Sequence, residues 1–330
     1  MKTLTLRSRA GPSAPVDLRT RVGAVALANP VMTASGTSGH GAELAAFVDL
    51  ATLGAVVVKS VSVEPWAGNP APRLRPVDGG LLNSVGLQNP GLAGWLDDEL
   101  PPLAGRGATV VASIWGFRAG EYGQAAAALA TGSRAGRPGM DAVVAVEANI
   151  SCPNVEDRRR MFAHSPEGVR EAVSAAVEGL AGALPLWVKL SPNVTDLPSL
   201  AAVALDSGAA GVTLINTVMG LALDPFTGQP RLGAGGGGLS GPAIHPVAVR
   251  AVFECRSAFP DAAIVGVGGV TTGEDAAELL AAGADAVQVG TATFADPRAP
   301  ARILQELETW CADHGLARID ELKGRAHDRR

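Results

Sequence analysis

Short apolar runs alternate along the chain with longer stretches that are rich in alanine and leucine. We count eight apolar runs, at 31–36, 55–61, 109–114, 142–148, 186–190, 211–216, 262–267 and 286–290. Helices are predicted near 41–53, 90–103, 119–131, 166–182, 196–207, 243–258, 273–282 and 298–314. This alternation is typical of parallel βα units. Eight such units predict an α/β fold of the (β/α)8 TIM-barrel type rather than an open doubly wound sheet.

Two further apolar runs, 16–18 and 25–27, precede the first barrel strand. They predict a β-hairpin that covers the bottom of the barrel. With 330 residues, of which 47% are hydrophobic, the chain can bury one large core. We therefore expect residues 1–330 to form a single barrel domain, with frayed ends at 1–15 and 323–330.

Charge and cysteine content narrow the class of protein. A net charge of -5 and an isoelectric point near 5.6 argue against a nucleic-acid partner, which would need clustered basic residues. The three cysteines, at 152, 255 and 311, have no metal-ligand spacing, which predicts a reducing compartment and no metal or iron–sulfur site in this chain. The chain has neither an apolar run of 18 residues nor a signal-peptide core, so we expect no membrane contact and a cytoplasmic location.

A thiol stands between two carboxamides just after the fourth strand run, where the sequence reads Asn149-Ile-Ser-Cys-Pro-Asn154. Barrels of this type carry their chemistry at the carboxyl ends of the strands. Cys152 is therefore a candidate for proton transfer. The alternative is a buried structural cysteine, which packs like a small hydrophobic residue.

The residues that end or follow the other runs are mostly hydroxyls, amides, lysines and glycines. They are Ser35 and Gly36, Lys59 and Ser60, Ser113, Asn149, Lys189, Asn216 and Thr217, Gly268 and Gly269, and Gly290 and Thr291. We expect them to meet in one site. Lys59 and Lys189 follow apolar strand residues, so each is expected to face an anion; the alternatives are a side chain that reaches solvent or one that pairs with an internal carboxylate.

Glycine-rich turns follow the seventh and eighth runs, at 266–269 and at 290–291. Such turns place backbone N–H groups beside helix starts, as in the phosphate cradle of these barrels. Neither a Walker sequence nor GxGxxG is present. A flavin mononucleotide (FMN) suits these turns better than ATP or a dinucleotide.

Four segments together resemble one known family. They are Asn83-Ser-Val-Gly-Leu-Gln-Asn-Pro-Gly91, Asn149-Ile-Ser-Cys-Pro-Asn154, Gly238-Leu-Ser-Gly-Pro-Ala243, and Gly266-Val-Gly-Gly-Val with Val287-Gln-Val-Gly-Thr-Ala292. The chain resembles the class I dihydroorotate dehydrogenases over nearly the whole barrel. Class II members have Ser where this chain has Cys152. Gln88, where the A-type usually has Pro, and the segment 238–243 favour the catalytic subunit of the B-type.

The resemblance implies oxidation of (S)-dihydroorotate to orotate in de novo pyrimidine (UMP) biosynthesis, with Cys152 as the base and hydride transfer to FMN. It assigns the substrate to Lys59, Asn83, Ser84, Val85, Gly86, Leu87, Asn149, Asn154, Asn216 and Thr217. It assigns FMN to Ser35, Gly36, Lys59, Ser60, Ser113, Asn149, Lys189, Ile215, Gly241, Gly268, Gly269, Gly290 and Thr291.

The B-type resemblance also implies a homodimer of barrels and an electron-transfer subunit, whose FAD and iron–sulfur cluster pass electrons to NAD. Alternatives are a fumarate-dependent A-type enzyme, a flavin barrel like dihydropyrimidine dehydrogenase, and a non-enzymatic barrel with a decayed site. A tRNA dihydrouridine synthase is a further alternative, but it would need a basic face to bind tRNA, and the composition lacks one. The chain departs from the B-type pattern at Ser84 (often Ala), at Ser113 (often Asn) and in the loop 155–164, which lacks the expected glycines.

Overall fold

Eight parallel strands form the central sheet of the computed structural model, which describes residues 15–151 and 161–328. They are β3 (Val31–Thr33), β4 (Val56–Val57), β7 (Val110–Ile114), β8 (Val143–Asn149), β9 (Leu186–Leu190), β10 (Gly211–Leu214), β13 (Ile264–Val267) and β14 (Ala286–Val289). Their order is β3-β14-β13-β10-β9-β8-β7-β4. A parallel bridge between Met32 of β3 and Ala55, which directly precedes β4, joins the two ends of this order. The predicted barrel is confirmed.

The helices lie outside the barrel. They are α1 (Gly91–Gly94), α2 (Leu100–Ala104), α3 (Ala119–Arg134), α4 (Pro166–Leu180), α5 (Leu197–Asp206), α6 (His245–Ala258), α7 (Gly273–Ala281), α8 (Ala292–Ala295) and α9 (Ala299–Asp313). Caps explain where two of them begin. The Asp196 carboxylate accepts a hydrogen bond from the N–H of Ser199, and Thr272 forms a capping box with Asp275.

The helix predicted at 41–53 is wrong. Two 3-10 turns, Glu43–Ala46 and Leu50–Thr52, replace it. The Asp49 side chain accepts a hydrogen bond from the N–H of Ala51, so it starts a new turn instead of continuing the first.

The helix predicted at 90–103 is present but interrupted. A π-helical turn, Trp95–Glu99, separates α1 from α2, and the N–H of Leu100 donates to the carbonyl of Trp95. Pro101 and Pro102 follow at once, and neither has an N–H to give to the carbonyl four residues earlier. The regular α-helical pattern therefore fails at this point.

A two-stranded antiparallel hairpin, β1 (Thr20–Val22) and β2 (Val25–Leu27), covers the bottom of the barrel. Val22, Val25 and Leu27 are buried against the amino-terminal parts of the barrel strands. The hairpin is confirmed, but its first arm is not 16–18 as expected. Asp17 instead forms a bridge with Arg318 near the end of the chain.

The sequence pattern gave no sign of a second sheet. Four antiparallel strands, β5 (Leu74–Val77), β6 (Gly80–Asn83), β11 (Val218–Gly220) and β12 (Gly237–Ser240), pair in the order β11-β12-β6-β5. They are short, and β12 contains two glycines, so they lack an alternating apolar pattern. We call them the roof sheet.

The described part of the C-terminal tail is held against the barrel, in contrast to the expected fraying from residue 323. Lys323 forms an ion pair with the buried Asp285, and the N–H of Gly324 donates to the carbonyl of Leu280 (2.9 Å). The ring of His327 stacks on Phe253 with centroids 4.2 Å apart. Among the described helices, none is long and apolar enough to cross a membrane.

Candidate active site at the carboxyl ends of the strands

A cavity of about 790 Å³ opens at the carboxyl ends of the barrel strands. Residues that end or follow the barrel strands form its floor and walls, and the roof sheet contributes Leu74, Asn83, Met219 and Gly238. This volume lies in the usual range for sites that bind small molecules.

The cavity brings together nearly all of the residues that the sequence assigned to the site. The described ones that line it are Ser35, Gly36, Lys59, Ser60, Asn83, Ser84, Val85, Gly86, Leu87, Asn149, Lys189, Ile215, Asn216, Thr217, Gly241, Gly268, Gly269, Gly290 and Thr291. Ser113 does not line it and lies behind Ser60, their hydroxyl oxygens 2.8 Å apart. Cys152 and Asn154 lie outside the described residues. Ser151 and Met161, on either side of that gap, both line the cavity.

One end of the cavity is built from closely packed glycine backbone. Gly269 has φ +69°, and a Cβ atom there would lie 2.6 Å from the Cβ of His245. At Gly241, with φ +101°, a Cβ would lie 2.8 Å from the Cα of Gly80. The hydroxyl of Thr291 donates to Ser240 (2.7 Å) beside these turns. The surroundings thus require glycine at both positions, which leaves backbone exposed to any group bound there.

Amides and hydroxyls form a connected network on the cavity floor. The Oδ1 of Asn149 accepts from the Nδ2 of Asn216 (3.2 Å), and the Nδ2 of Asn149 donates to the Ser60 hydroxyl (3.2 Å). Asn216 Oδ1 in turn accepts from the N–H of Thr217 (2.8 Å). These hydrogen bonds fix the orientation of both amides, which line the cavity side by side.

The segment 83–87 is held from both sides. The Nδ2 of Asn83 donates to the carbonyl of Gly238 (3.1 Å), which ties the segment to the roof sheet. The indole N–H of Trp66 donates to the carbonyl of Gly86 (2.9 Å). Leu87 has φ +64°, a conformation that is uncommon for a residue with a side chain. These contacts hold one wall of the cavity in a defined conformation.

The two cavity lysines have different surroundings. Lys189 Nζ lies 3.8 Å from the buried Glu147 carboxylate and donates to Gln288 Oε1 (3.3 Å), so the expected alternative of an internal carboxylate holds for this residue. Lys59 forms no ion pair with any described residue. Burial, and then the charge of Arg73, lowers the pKa of Lys59. A cation of this kind gains from an anionic ligand.

Several residues that line the cavity or lie behind its wall were missed by the sequence reasoning. Trp66 and Phe117 contact each other edge to face, with centroids 5.0 Å apart, and Trp115 packs against both. The sequence did contain a signal for this aromatic cluster, since Trp115 and Phe117 directly follow the third strand run. Glu147, fully buried behind Lys189, was also missed, although a single carboxylate in an apolar strand is itself unusual.

Fold and cavity together define a barrel whose site has close-packed glycine backbone at one end, together with amides and two lysines. The family described as "Dihydroorotate dehydrogenase" matches residues 17–310. The chain belongs to the dihydroorotate dehydrogenase family.

Relatives of two named types match over almost their full length. The chain is 42% identical over 308 residues to "Dihydroorotate dehydrogenase B (NAD(+)), catalytic subunit" from Geobacter sp. (strain M21), covering 93% of this chain and 97% of the relative. It is 45% identical to "Putative dihydroorotate dehydrogenase A (fumarate)" from Solibacter usitatus, covering 93% and 98%. The B-type relative from Alkaliphilus metalliredigens is 43% identical, covering 94% and 98%. Overall identity does not separate the two types.

Proposed function

We propose that this protein oxidises (S)-dihydroorotate to orotate in pyrimidine biosynthesis, with FMN as its cofactor. One observation carries the proposal: a single cavity joins the glycine-built cradle to a floor of amides and lysines, and the strand that supplies Asn149 leads directly to Cys152. Family membership supports the same conclusion.

The glycine end suits the phosphate of FMN. Gly241, Gly268 and Gly269 leave room for close backbone approach, and Gly290 and Thr291 complete the cradle. Toward the floor, Ser35, Gly36, Ser60, Lys189 and Ile215 would hold the rest of the cofactor. When bound, FMN supplies the hydride acceptor. The Lys189 ammonium would stabilise negative charge at its pyrimidine edge.

The amide floor and Lys59 suit a pyrimidine that carries a carboxylate. The hydrogen-bonded amides of Asn149 and Asn216 suit the amide and carbonyl groups of a pyrimidine ring, and Asn83 and Thr217 line the same cavity. Lys59 has no carboxylate partner among the described residues. Dihydroorotate would provide one, whereas dihydrouracil would not. This favours dihydroorotate over the substrate of a dihydropyrimidine dehydrogenase-like enzyme.

Cys152 is proposed as the base. The reaction removes a proton from C5 and a hydride from C6, so that a double bond forms between these carbons. The sulfur of Cys152 takes the proton. Its neighbour Ser151 lines the cavity, and Asn149, two residues before Ser151, is fixed on the floor. Asn154 is proposed as a further substrate contact.

We propose the B-type assignment for the remaining electron path. Gln88 and the segment 238–243 support it, as do the B-type relatives. It requires a partner subunit with FAD and an iron–sulfur cluster that reduces NAD, a homodimer of barrels, and a cytoplasmic location. Among the described residues, no group of three or more His, Cys, Asp or Glu side chains could hold a metal. The alternative is the A-type, with fumarate as acceptor.

The experiment is an anaerobic single-turnover reduction. The purified chain should release one FMN per protomer, and dihydroorotate should bleach its flavin absorbance while an equal concentration of dihydrouracil should not. Reduction by dihydrouracil alone would transfer the assignment to the dihydropyrimidine class. Bound FAD, or no flavin, would contradict the proposal.

A further inference from the structure

A buried polar cluster lies inside the barrel directly behind Lys189. Glu147 is 0% exposed, and so are Thr213 and Gln288. Of the three, none lines the cavity, whereas Lys189 does. Among the described residues, the hydrogen bonds of this cluster reach the proposed cofactor site through Lys189.

Hydrogen bonds fix the direction of every group in this cluster. Glu147 Oε2 accepts from the Thr213 hydroxyl (3.0 Å) and from Gln288 Nε2 (2.7 Å). At the other end of the same amide, Gln288 Oε1 accepts from Lys189 Nζ (3.3 Å). The Gln288 side chain thus stands between a carboxylate and an ammonium, with its donor toward one and its acceptor toward the other.

The second oxygen of Glu147 is the unusual feature. Oε1 is buried and has no hydrogen-bond partner among the described residues, and its nearest cation, Lys189 Nζ, is 3.8 Å away. A buried carboxylate oxygen without a hydrogen bond is costly. A closer ion pair would satisfy it, but it would draw the ammonium away from the cavity. Gln288 holds the two charges apart instead.

We propose that Glu147 is a positioning residue that holds the Lys189 ammonium at the cavity wall and offsets part of its charge, and so keeps the reduction potential of the bound flavin low. The inference rests on the proposed FMN site. Lys189 Nζ donates to Gln288 and lies 3.8 Å from Glu147, and the lysine side chain also lines the cavity. Without the carboxylate, the full positive charge would act on the reduced cofactor and favour reduction.

Glu147→Gln tests this, because it removes the charge and keeps the size and a hydrogen-bonding end group. The potential of the bound flavin is measured by anaerobic reduction against a reference dye. We expect the equilibrium constant for two-electron reduction to rise about tenfold, which corresponds to a potential higher by about 30 mV. An equilibrium constant within twofold of that of the unmodified protein would overturn the inference.

Thr213→Val is the matched control. It removes one hydrogen bond from the same carboxylate but leaves the charge and nearly the same shape. We expect the reduction equilibrium to change less than twofold, even where thermal stability falls. An equal rise in both variants would show a general packing effect, and this would also overturn the inference.

Two outcomes separate this inference from the proposed function. If the unmodified chain binds no flavin, the proposed function fails and the inference fails with it. If flavin binds and dihydroorotate reduces it, but Glu147→Gln leaves the potential unchanged, only the role of Glu147 is wrong. Should Glu147→Gln not accumulate as folded protein, Glu147→Asp draws the carboxylate back from the lysine. A rise of about threefold then supports the inference, and no change overturns it.

Discussion

Lys59 and Lys189 carry the same ammonium group into the same cavity, yet among the residues that the structure describes only Lys189 has an internal counterion. Glu147 is on β8, next to the strand that carries Lys189, whereas the surroundings of Lys59 include another cation, Arg73. At the residue scale this difference supports the proposed roles, in which Lys189 contacts the cofactor and Lys59 binds an anion brought by the substrate.

Lys59→Met should weaken orotate binding. It should also abolish the fall in orotate affinity that we expect of the unmodified protein at alkaline pH. Burial and Arg73 lower the pKa of Lys59, so the ammonium is lost as the pH rises through that lowered pKa, and the affinity for an anion falls with it. Orotate titrations of the flavin spectrum between neutral and alkaline pH would measure this. Lys59→Arg keeps a charge that does not titrate in this range and should show no loss. An unchanged orotate affinity in Lys59→Met would contradict the assignment.

His40 should make the fold less stable in mild acid. Burial, and then the charge of Lys59, lowers the pKa of His40 from 6.5 to about 4. Between these two pH values His40 is therefore protonated in the unfolded chain but neutral in the folded one. This contribution to stability is complete above pH 6.5, is lost as the pH falls from there toward 4, and is absent below that.

His40→Asn removes the titrating group and provides the measurement. After allowance for partial exposure, unmodified protein should lose about 1–2 kcal/mol more stability than the variant between pH 7 and pH 4.5. Urea unfolding of both proteins at each pH gives the difference, since other titrating groups are common to both. Parallel pH profiles would show that His40 plays no part.

Cys152→Ala should retain FMN but lose the proton-transfer step. Flavin content should stay near normal, because the cradle is built from other residues, while reduction by dihydroorotate should slow about 100-fold or more. Cys152→Ser should keep some activity with an optimum at higher pH, because a hydroxyl ionises less readily than a thiol. Stopped-flow reduction measures both variants. Reduction at the unmodified rate in Cys152→Ala would remove the cysteine from the mechanism.

At the scale of elements, the sequence predicted those that follow a simple pattern. All eight barrel strands were found, because a strand buried on both faces reads as an apolar run. The roof sheet was not, because strands such as Gly237–Ser240 take their place from pairing with distant strands and not from their own composition. The helix predicted at 41–53 was wrong for a local reason, because the Asp49 carboxylate accepts the N–H of Ala51 in place of a helical carbonyl.

The candidate site shows the same division. Strand ends converge in a barrel whatever their sequence, so residues such as Ser35, Lys59 and Asn216 could be assigned to one cavity in advance. The pairing of Lys189 with Glu147 could not, because it depends on the register between β8 and β9. Ser113 shows the limit of the rule: it was placed correctly on a strand end, yet it faces Ser60 rather than the cavity.

Gly269→Ala tests the turn between β13 and α7 as the phosphate cradle. An added Cβ would lie 2.6 Å from His245 Cβ and 2.9 Å from the carbonyl oxygen of Gly241. The turn must therefore shift, and we expect FMN affinity to fall at least tenfold. Gly182→Ala is the matched control: its φ of +75° imposes similar backbone strain, but its surroundings are open. Flavin content and fluorescence titration measure both. Equal loss in the two variants would argue against the cradle.

At the scale of the whole molecule, the proposed reaction leaves two electrons on the flavin, and these electrons must leave the site before the next turnover. The proposed function places one FMN and its substrate in the cavity, and among the described residues no group of His, Cys, Asp and Glu side chains could hold a metal. In the proposed reaction, a flavin reduced by dihydroorotate must pass its two electrons to another molecule before it can react again. The A-type and B-type proposals differ in what that molecule is.

The isolated chain should reduce its FMN with dihydroorotate but transfer electrons to NAD poorly. Addition of the subunit that carries FAD and the iron–sulfur cluster should restore NAD reduction, because that subunit supplies both the relay and the nucleotide site that the chain itself lacks in the B-type proposal. NADH formation at saturating dihydroorotate, with and without the partner, measures this, and fumarate is then tested as an alternative acceptor. Cys152→Ala in the same assembly controls for electron transfer that bypasses substrate oxidation.

Efficient NAD reduction by the chain alone would refute the B-type proposal. Rapid turnover with fumarate would place the enzyme in the A-type, with the same cavity, base and cofactor and only the acceptor changed.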